Sequence, residues 1–574
     1  MVNNYILGIS YGYHDSSAVL LKDGIILAAC QEERFSRVKH DSNFPKKAIE
    51  FIFQKFNLNS NDLCSIIFYE NPIIKFNTIL KKCKTSDTKN AEINSLFFNW
   101  VNEGKFTIRK KISDELKFPE NKIYYLNHHL CHASSAYFCS PFQSATILTI
   151  DAVGENETSA LFLGKKCKLE KITSIFSPHS LGLFYSALTA WLGFEINEGE
   201  YKVMGMAPYG KPKFYQEFLD LFSFDKKFGF KLDQKYFNFE KDSTSLFSEE
   251  LVKWLGPGRA FNSQMMLEKP NHFADVAASV QKCTETVILR LVQQSLNITK
   301  SNNLCLAGGV ALNSAANGRI RREINCNLYI QPNAGDAGTS LGACLFHYHI
   351  KNRRAWKPLV SVNLGFETSN NEINYTLLKF PKLKSCVFKN DSDFFNKLAE
   401  LLASGKVLGL FQGKEEWGPR ALGFRSILAN PSSSKMRDIV NEKIKFRELF
   451  RPFAPIILKE FAHEFFEISP GLVEYDPEFF MLTTVKAKQD KISLVPAVVH
   501  VDGSSRVQIV SEKSNCFMYE LIKKFYEKTG LPCLLNTSFN LKGEPIVNTC
   551  QDAINTFLFS DMDFLVIEKV LIHK

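Results

Sequence analysis

The sequence predicts a multidomain protein of mixed α/β class, and three observations carry that expectation. A strand, polar turn, strand unit occurs twice in the first 165 residues. Two strand, glycine-rich turn, helix units follow one another between Leu304 and Phe346. The segment Arg353 to Asn374, with Trp, Pro and a Thr-Ser-Asn-Asn cluster, then interrupts the pattern, and helices and strands restart beyond it. At 574 residues and 45% hydrophobic content, the chain is long enough to bury two or three cores.

Taken in order, Tyr5 to Ser10 reads as a strand, Tyr11 to Ser17 as a polar turn, and Ala18 to Leu21 as a strand reaching the hairpin turn Asp23-Gly24 before Ile25 to Ala29. The apolar run Ala145 to Asp151, the turn Ala152 to Glu157 and the strand Thr158 to Leu163 repeat that layout. Laid over one another, ILGISYGYHDSSAVLL and ILTIDAVGENETSALF share apolar positions and the place of the turn, an internal duplication with few identities. Leu304 to Ala307 is a buried strand, Gly308-Gly309 lets a ligand approach the backbone, and Val310 to Ala315 opens a helix. Tyr329 to Gln331 is the next strand, followed by Asn333 to Thr339, with Gly335 in the turn, and the helix Ser340 to Phe346. In the second half a helix (Asp393 to Ala403), a strand (Lys406 to Phe411), a helix (Lys435 to Ile444), late strands near Val498 to His500 and Arg506 to Val510, a helix (Asn515 to Glu527), a strand (Leu531 to Leu535) and the loop Asn536 to Asn540 are expected.

Composition narrows the function. Fourteen cysteines are scattered singly without a C-x-x-C pair, as in a reduced compartment. The first strand starts within five residues and no apolar stretch approaches 18, so neither secretion nor membrane spanning is expected and a cytoplasmic location is. The net charge of +10 is spread in short clusters, which reads as a solvated basic surface, and the 50 phenylalanines fall at core positions and not in a basic-aromatic stripe that would stack nucleic acid.

The chemistry concentrates in a few places. Asn127-His128-His129-Leu130-Cys131-His132 opens an Ala/Ser-rich helix, and His128 and His132, at i and i+4, share one face and can share one ion. Asp336, in a glycine-flanked turn, is the first carboxylate partner and Asp151 the second. Two imidazoles with one or two carboxylates suit Fe(II), Mn or Zn, while a helix cap near Thr339 is the plainer reading of Asp336. His14, in the first polar turn, is a candidate proton acceptor for an attacking hydroxyl, against an exposed turn histidine. Glu32 to Lys39 is too charged to be core and reads as a solvated or cleft-lining loop. Arg420, Arg425, Lys445, Arg447, Arg451 and Arg506 lie beside Gly, Pro and aromatic residues, and with Ser538 and Asn540 they suggest a pocket for a phosphorylated anion; structural ion pairing is the alternative.

Together, G-I-S-Y-G-Y-H-D-S-S-A, E-E-R-F-S-R-V-K-H-D, H-H-L-C-H, G-G-V-A-L-N, G-D-A-G, W-G-P-R-A-L-G, F-R-P-F-A-P and N-T-S-F-N resemble, in order along the chain, the O-carbamoyltransferases of nodulation and antibiotic biosynthesis, the NodU and tobramycin carbamoyltransferase type. The resemblance implies a duplicated N-terminal domain of the actin, Hsp70 and sugar-kinase superfold, Kae1-like, over 1–360, and an α/β YrdC-like domain over 370–574. It implies that the second domain forms carbamoyl-adenylate from carbamoyl phosphate and ATP with Mg, and that the first transfers the carbamoyl group to a hydroxyl of a secondary metabolite or saccharide. By that resemblance His14 is the general base and Lys39 a cleft lysine; His128, His132 and Asp336, with Asp151, hold a divalent metal, Fe(II) before Zn or Mn. Gly308, Gly309, Asn313 and Gly335 face a nucleotide, and Arg420, Lys445, Arg447, Arg451, Arg506, Asn536, Ser538 and Asn540 bind carbamoyl phosphate or the adenylate. The K-x-R and S-x-N signatures of YrdC proteins match Lys445, Arg447, Ser538 and Asn540. One departure stands out: Kae1 proteins carry H-x-E-G-H where this chain has Leu130-Cys131, which argues against a tRNA-directed role. A threonylcarbamoyladenosine-type transferase and a non-catalytic nucleotide-binding module remain the alternatives. No membrane or nucleic-acid partner is expected, a homodimer is left open, and acceptor selection is expected in Asn71 to Lys117 and Phe214 to Phe273.

Overall fold

The computed structural model describes residues 4–85, 104–239, 245–263 and 271–574. The stretches 86–103, 240–244 and 264–270, inside the two segments expected to select the acceptor, lie outside the described residues. The chain divides into two compact units, the first comprising 1–32 and 40–358 and the second 33–39 and 359–574. The short segment 33–39 therefore groups with the second unit, although it sits far from it in sequence.

The first unit contains two five-stranded sheets. One is built from β1 (Tyr5–Ser10), β2 (Ser17–Lys22), β3 (Ile25–Gln31), β4 (Leu63–Phe68) and β5 (Ile123–Tyr125), in the order β3-β2-β1-β4-β5. β1 to β3 form an antiparallel meander, and β4 and β5 add in parallel to β1. The second sheet consists of β6 (Ser144–Ile150), β7 (Glu157–Lys165) and β8 (Lys168–Phe176), then β11 (Asn303–Ala307) and β12 (Asn327–Ile330); a small hairpin of β9 (Phe222–Phe224) and β10 (Phe230–Leu232) intervenes in the chain. Its order, β12-β11-β6-β7-β8, is the first sheet's order over again, with the same antiparallel meander and the same parallel additions. The repeated strand and turn pattern in the sequence thus has a repeated topology beneath it.

The inner strands β1, β2, β6 and β11 are buried along nearly their whole length because both faces are covered, whereas the edge strand β8 is largely exposed. Leu7, Ile9 and Ala18 to Leu21 are fully buried, each large side chain contributing about 1.5–3 kcal/mol of burial. The helices His128–Tyr137 and Thr339–Asn352 pack closely, and Gly342 is what allows it: a Cβ there would strike the Cys131 carbonyl and the Ser135 amide. Asp23 and Gly24, both at positive φ, make the tight turn expected between β2 and β3.

The second unit is organised on an eight-stranded sheet of order β13-β22-β21-β14-β15-β20-β16-β19. Its strands are β13 (Lys384–Val387), β14 (Leu408–Phe411), β15 (Arg425–Ala429), β16 (Ala454–Leu458), β19 (Gln508–Val510), β20 (Cys533–Ser538), β21 (Phe564–Ile567) and β22 (Val570–His573), and β17 (Val485–Lys486) pairs separately with β18 (Ser504–Ser505).

Three expectations need correction. Val498 to His500 forms no strand, because Val498 ends the 3-10 turn Pro496–Val498 and its amide bonds the Val495 carbonyl, while the His500 amide closes a turn on the Ser504 carbonyl. Asn536 to Ser538 continue β20, because β15 and β16 offer them partners, so the loop starts only after Ser538. After Gly308 the chain makes a 3-10 turn, Gly309–Leu312, and the helix proper begins at Ser314, where the Asn313 side chain caps it. Among the described residues no helix is long and apolar enough to cross a membrane, and the described cysteines are free thiols.

Candidate functional site

In the first unit, four donor atoms converge. The helix His128–Tyr137 places His128 and His132 one turn apart with their Nε2 atoms 3.0 Å from each other. Asp151 follows β6; its Oδ1 accepts the Ala152 amide at 2.7 Å, which leaves Oδ2 2.8 Å from His132 Nε2 and 3.5 Å from His128 Nε2. Asp336, in the turn after β12, puts Oδ1 3.5 Å from His132 Nε2 and 3.7 Å from His128 Nε2. All four residues are buried.

This donor set fits a divalent cation. Around an ion with ligands at about 2.1 Å, neighbouring donor atoms stand ~3.0 to ~3.4 Å apart, close to the spacings seen. Two imidazole nitrogens facing each other at 3.0 Å cannot both carry protons, while two carboxylates beside them call for positive charge. Burial disfavours the His128 imidazolium, but Asp336 and Asp151 outweigh it and push the group up to about 9. The carboxyls of Asp151 and Asp336 are held low by the facing histidines against the opposing effect of burial. A cation satisfies both sides at once, and N/O ligation suits Fe(II), Mn or Zn. The helix-cap reading of Asp336 is not what the geometry favours, because its side chain caps no helix here.

His14 adjoins this cluster. From the turn between β1 and β2, its Nε2 lies 3.5 Å from Asp336 Oδ2 and its Nδ1 2.9 Å from Asp15 Oδ2, while Asp15 Oδ1 meets His40 Nδ1 at 2.8 Å. Burial lowers the His14 basicity, but Asp336 and Asp15 win and push it up to about 10. His129 is structural: Nδ1 meets the Thr149 hydroxyl at 2.7 Å and Nε2 donates to the Glu157 carbonyl at 2.9 Å. Burial and its two histidine neighbours push it down to about 4.

Sequence reasoning missed Glu155. Its carboxylate, in the turn between β6 and β7, accepts the His128 amide at 3.0 Å and the Asn71 amide at 2.9 Å, and so caps the ligand-bearing helix where Asn127 makes no side-chain cap bond. The signal was the acidic Gly154-Glu155-Asn156-Glu157 run at the place where the duplicate carries His14-Asp15.

The glycine-rich turns of the candidate nucleotide site follow β11 and β12, neighbouring parallel strands. Gly308 has a φ of 89°, and a Cβ there would strike the Ile150 backbone. Gly309 lies beside Asp151 Oδ1, and Gly335 directly precedes Asp336. The side chain of Asn313 is engaged by Ala316 and by two hydrogen bonds to Gln281.

In the second unit, the predicted cations converge. Lys445 Nζ donates to the carbonyls of Ser538 at 2.8 Å and Asn540 at 2.7 Å and reaches Asn540 Oδ1 at 2.5 Å; the Ser538 hydroxyl and Asn540 Oδ1 are 2.7 Å apart. Burial, then Arg447, Arg451 and Lys39, push the Lys445 ammonium well down. Arg506 is pushed down by burial and by Arg420 and Arg451. Lys39 therefore lies near Lys445, within the second unit. Arg447 donates to Asn441 Oδ1 at 2.7 Å, and Arg451 lies 3.5 Å from Glu448. The Asn536 amide donates to Gln508 and to the Ala421 carbonyl, tying the loop that carries Arg420 to the sheet.

Two readings from sequence fail here. Arg425 is core: its guanidinium donates to the carbonyls of Gln412, Phe424, Phe366 and Gly413 and lies over the Phe411 ring. Nor is Glu32 to Lys39 wholly a solvated loop, since Glu32, Glu33 and Arg34 are buried against partners the sequence did not reveal.

A protein with this layout has known relatives, and the chain belongs to the carbamoyltransferase family: residues 5–345 match the carbamoyltransferase N-terminus and residues 399–574 the carbamoyltransferase C-terminus. It is a carbamoyl-transferring enzyme of the type that includes the nodulation proteins. The uncharacterized protein sll1178 of a Synechocystis strain is 40% identical over 599 residues, covering 99% of this chain and 97% of that one. Nodulation protein NolNO of Sinorhizobium fredii is 34% identical, covering 98% of this chain and 79% of its own length. The uncharacterized protein MJ1051 of Methanocaldococcus jannaschii is 31% identical, with 99% of both chains covered.

Proposed function

We propose that this enzyme is an ATP-dependent O-carbamoyltransferase acting in two steps. In the second unit, ATP, carbamoyl phosphate and water give carbamoyl-adenylate, phosphate and pyrophosphate. In the first unit the carbamoyl group passes from AMP to an acceptor hydroxyl, forming a carbamate ester and releasing AMP.

The observation that carries this reading is the gathering of partly buried cations around the buried Lys445 in the second unit. Arg420, Arg451 and Arg506 oppose one another's charge, and Lys445 is disfavoured by Arg447, Arg451 and Lys39. Like charges held this close to one another favour the binding of a multiply charged anion. Arg and Lys binding the phosphates would stabilise charge developing at phosphorus, while Ser538 and Asn540 hold the Lys445 ammonium in place.

In the first unit His14 would take the proton of the acceptor hydroxyl once a cation at the cluster offsets the charge of Asp336, which otherwise keeps the imidazole protonated. Asp15 at Nδ1 fixes the ring, and Nε2 faces the cluster. His128, His132, Asp151 and Asp336 would hold a divalent ion, which would supply Lewis-acid polarisation of the carbamoyl carbonyl. The acceptor is a hydroxylated small molecule, and the glycine-rich turns at Gly308 and Gly335 offer backbone amides to the adenylate phosphate.

The test is incubation of the full-length protein with ATP, carbamoyl phosphate and Mg, without acceptor, following pyrophosphate and carbamoyl-adenylate by mass spectrometry. Both are expected, lost in Arg451→Ala and retained in His14→Ala. Absence of both in the wild-type protein would remove the adenylate mechanism.

A further inference from the structure

The segment 33–39 packs as part of the second unit and reaches both loops that frame its cationic pocket. Arg34 is only 1% exposed. Its Nη2 donates to the Gly418 carbonyl at 2.8 Å, and its Nε lies 3.2 Å from Glu415 Oε1 and 3.4 Å from Glu33 Oε1. Three residues on, Arg37 donates to the carbonyls of Ile546 at 2.6 Å and Pro545 at 2.9 Å, on the loop that follows Asn540.

The loop held by Arg34 carries Arg420. Its far end is clamped by Glu416, whose Oε1 accepts the amides of Leu422, Phe424 and Arg425 at 2.8, 2.8 and 3.0 Å. Its near end passes through Gly418 at a φ of 128°, a backbone state only glycine adopts freely. A flexible glycine two residues before a functional arginine needs an external hold. The Arg34 guanidinium, pinned between two carboxylates, supplies a charge-assisted one.

We infer that Arg34 is a positioning residue for anion binding in the second unit: by fixing the Gly418 carbonyl it sets where Arg420 stands within the cluster with Arg451 and Arg506. The inference rests on the anion-pocket part of the proposed function and adds to it a residue that touches no substrate. Arg34 acts through the loop, as a fork that must span Gly418 and Glu415 together. A lysine can reach one of these but not both.

The test uses the full-length chain with inorganic pyrophosphate as probe in titration calorimetry, alongside acceptor-free pyrophosphate release from ATP and carbamoyl phosphate. Loss of a charge-assisted hydrogen bond predicts pyrophosphate binding about 10-fold weaker or more in Arg34→Met, and a smaller loss in Arg34→Lys. In turnover the loss should fall on the KM for carbamoyl phosphate more than on kcat. Folded Arg34→Met protein that binds pyrophosphate within about twofold of wild type overturns the inference. Should Arg34→Met fail to fold, Arg34→Lys decides: wild-type binding and KM overturn it, and partial loss of both supports it. If the wild-type protein releases no pyrophosphate, the two-step reaction fails, and the calorimetric comparison still judges Arg34 by itself.

Discussion

His128 Nε2 and His132 Nε2 stand 3.0 Å apart across one helical turn. Either one proton is trapped between two imidazoles or a cation binds both, and the adjacent Asp151 and Asp336 favour the cation. Metal analysis of dialysed wild-type protein should find a divalent ion, and His132→Ala should lower that content at least about tenfold. Chelation should lower the melting temperature of the wild type but not of the variant. Undiminished metal in His132→Ala would place the ion elsewhere.

Glu155 caps the helix that carries both histidines. Glu155→Ala removes the acceptor for the His128 and Asn71 amides and should cost about 1–2 kcal/mol of stability. It should also weaken metal affinity about tenfold or more, as loss of a ligand-orienting contact does. Glu155→Gln, which keeps an acceptor oxygen, should recover part of both. Denaturant titration and competition with a metal chelator read the two effects separately.

Lys445 gives the anion pocket a pH dependence. Burial and three cationic neighbours push its ammonium down, and a bound phosphate, being negative, raises it again. Binding therefore takes up a proton, and affinity falls as pH rises. Pyrophosphate titrations in buffers of different ionisation enthalpy should show that uptake in the wild type and its disappearance in Lys445→Met. Equal proton uptake in both proteins would assign the proton to another group.

Glu415 sets a stability trend. Burial raises its carboxyl to about 7, with Arg34 and Arg425 opposing but not overcoming that rise. The folded state thus holds a proton that the unfolded chain, near 4.5, has released. Its contribution is fully present below about pH 4.5 and is lost as pH rises through 7, a change on the order of 3 kcal/mol. Glu415→Gln should flatten this limb of the pH–stability curve in urea titrations; an unchanged slope would assign the trend to other groups.

Much of this was legible in the chain. The i, i+4 spacing of His128 and His132 dictates a shared face once the segment is helical, and the period-2 apolar runs dictate buried strands, because both follow from local geometry. The duplicated strand and turn pattern likewise anticipates two sheets with one strand order. Local pattern misled at Arg425, which looks like its neighbour Arg420 in sequence yet spends its donors on backbone carbonyls. Likewise the density of charge at Glu32 to Lys39 suggested a solvated or cleft-lining loop, because Glu415 and the Gly418 carbonyl that meet Arg34, and the carbonyls that meet Arg37, lie nearly four hundred and over five hundred residues away.

By itself, then, the sequence determined the ligand types, the cationic inventory, the strand order within each local hairpin and the family. The sequence also pointed to Asp336 and Asp151 as partners of the histidine pair, and the tertiary structure brings them there; only the tertiary structure placed Glu155 beneath the pair and 33–39 in the second unit. The physical reason is range. Hydrogen-bond periodicity and turn chemistry act over a few residues and can be read along the chain, whereas pairing of buried charges depends on contacts between distant segments that form only when the chain packs.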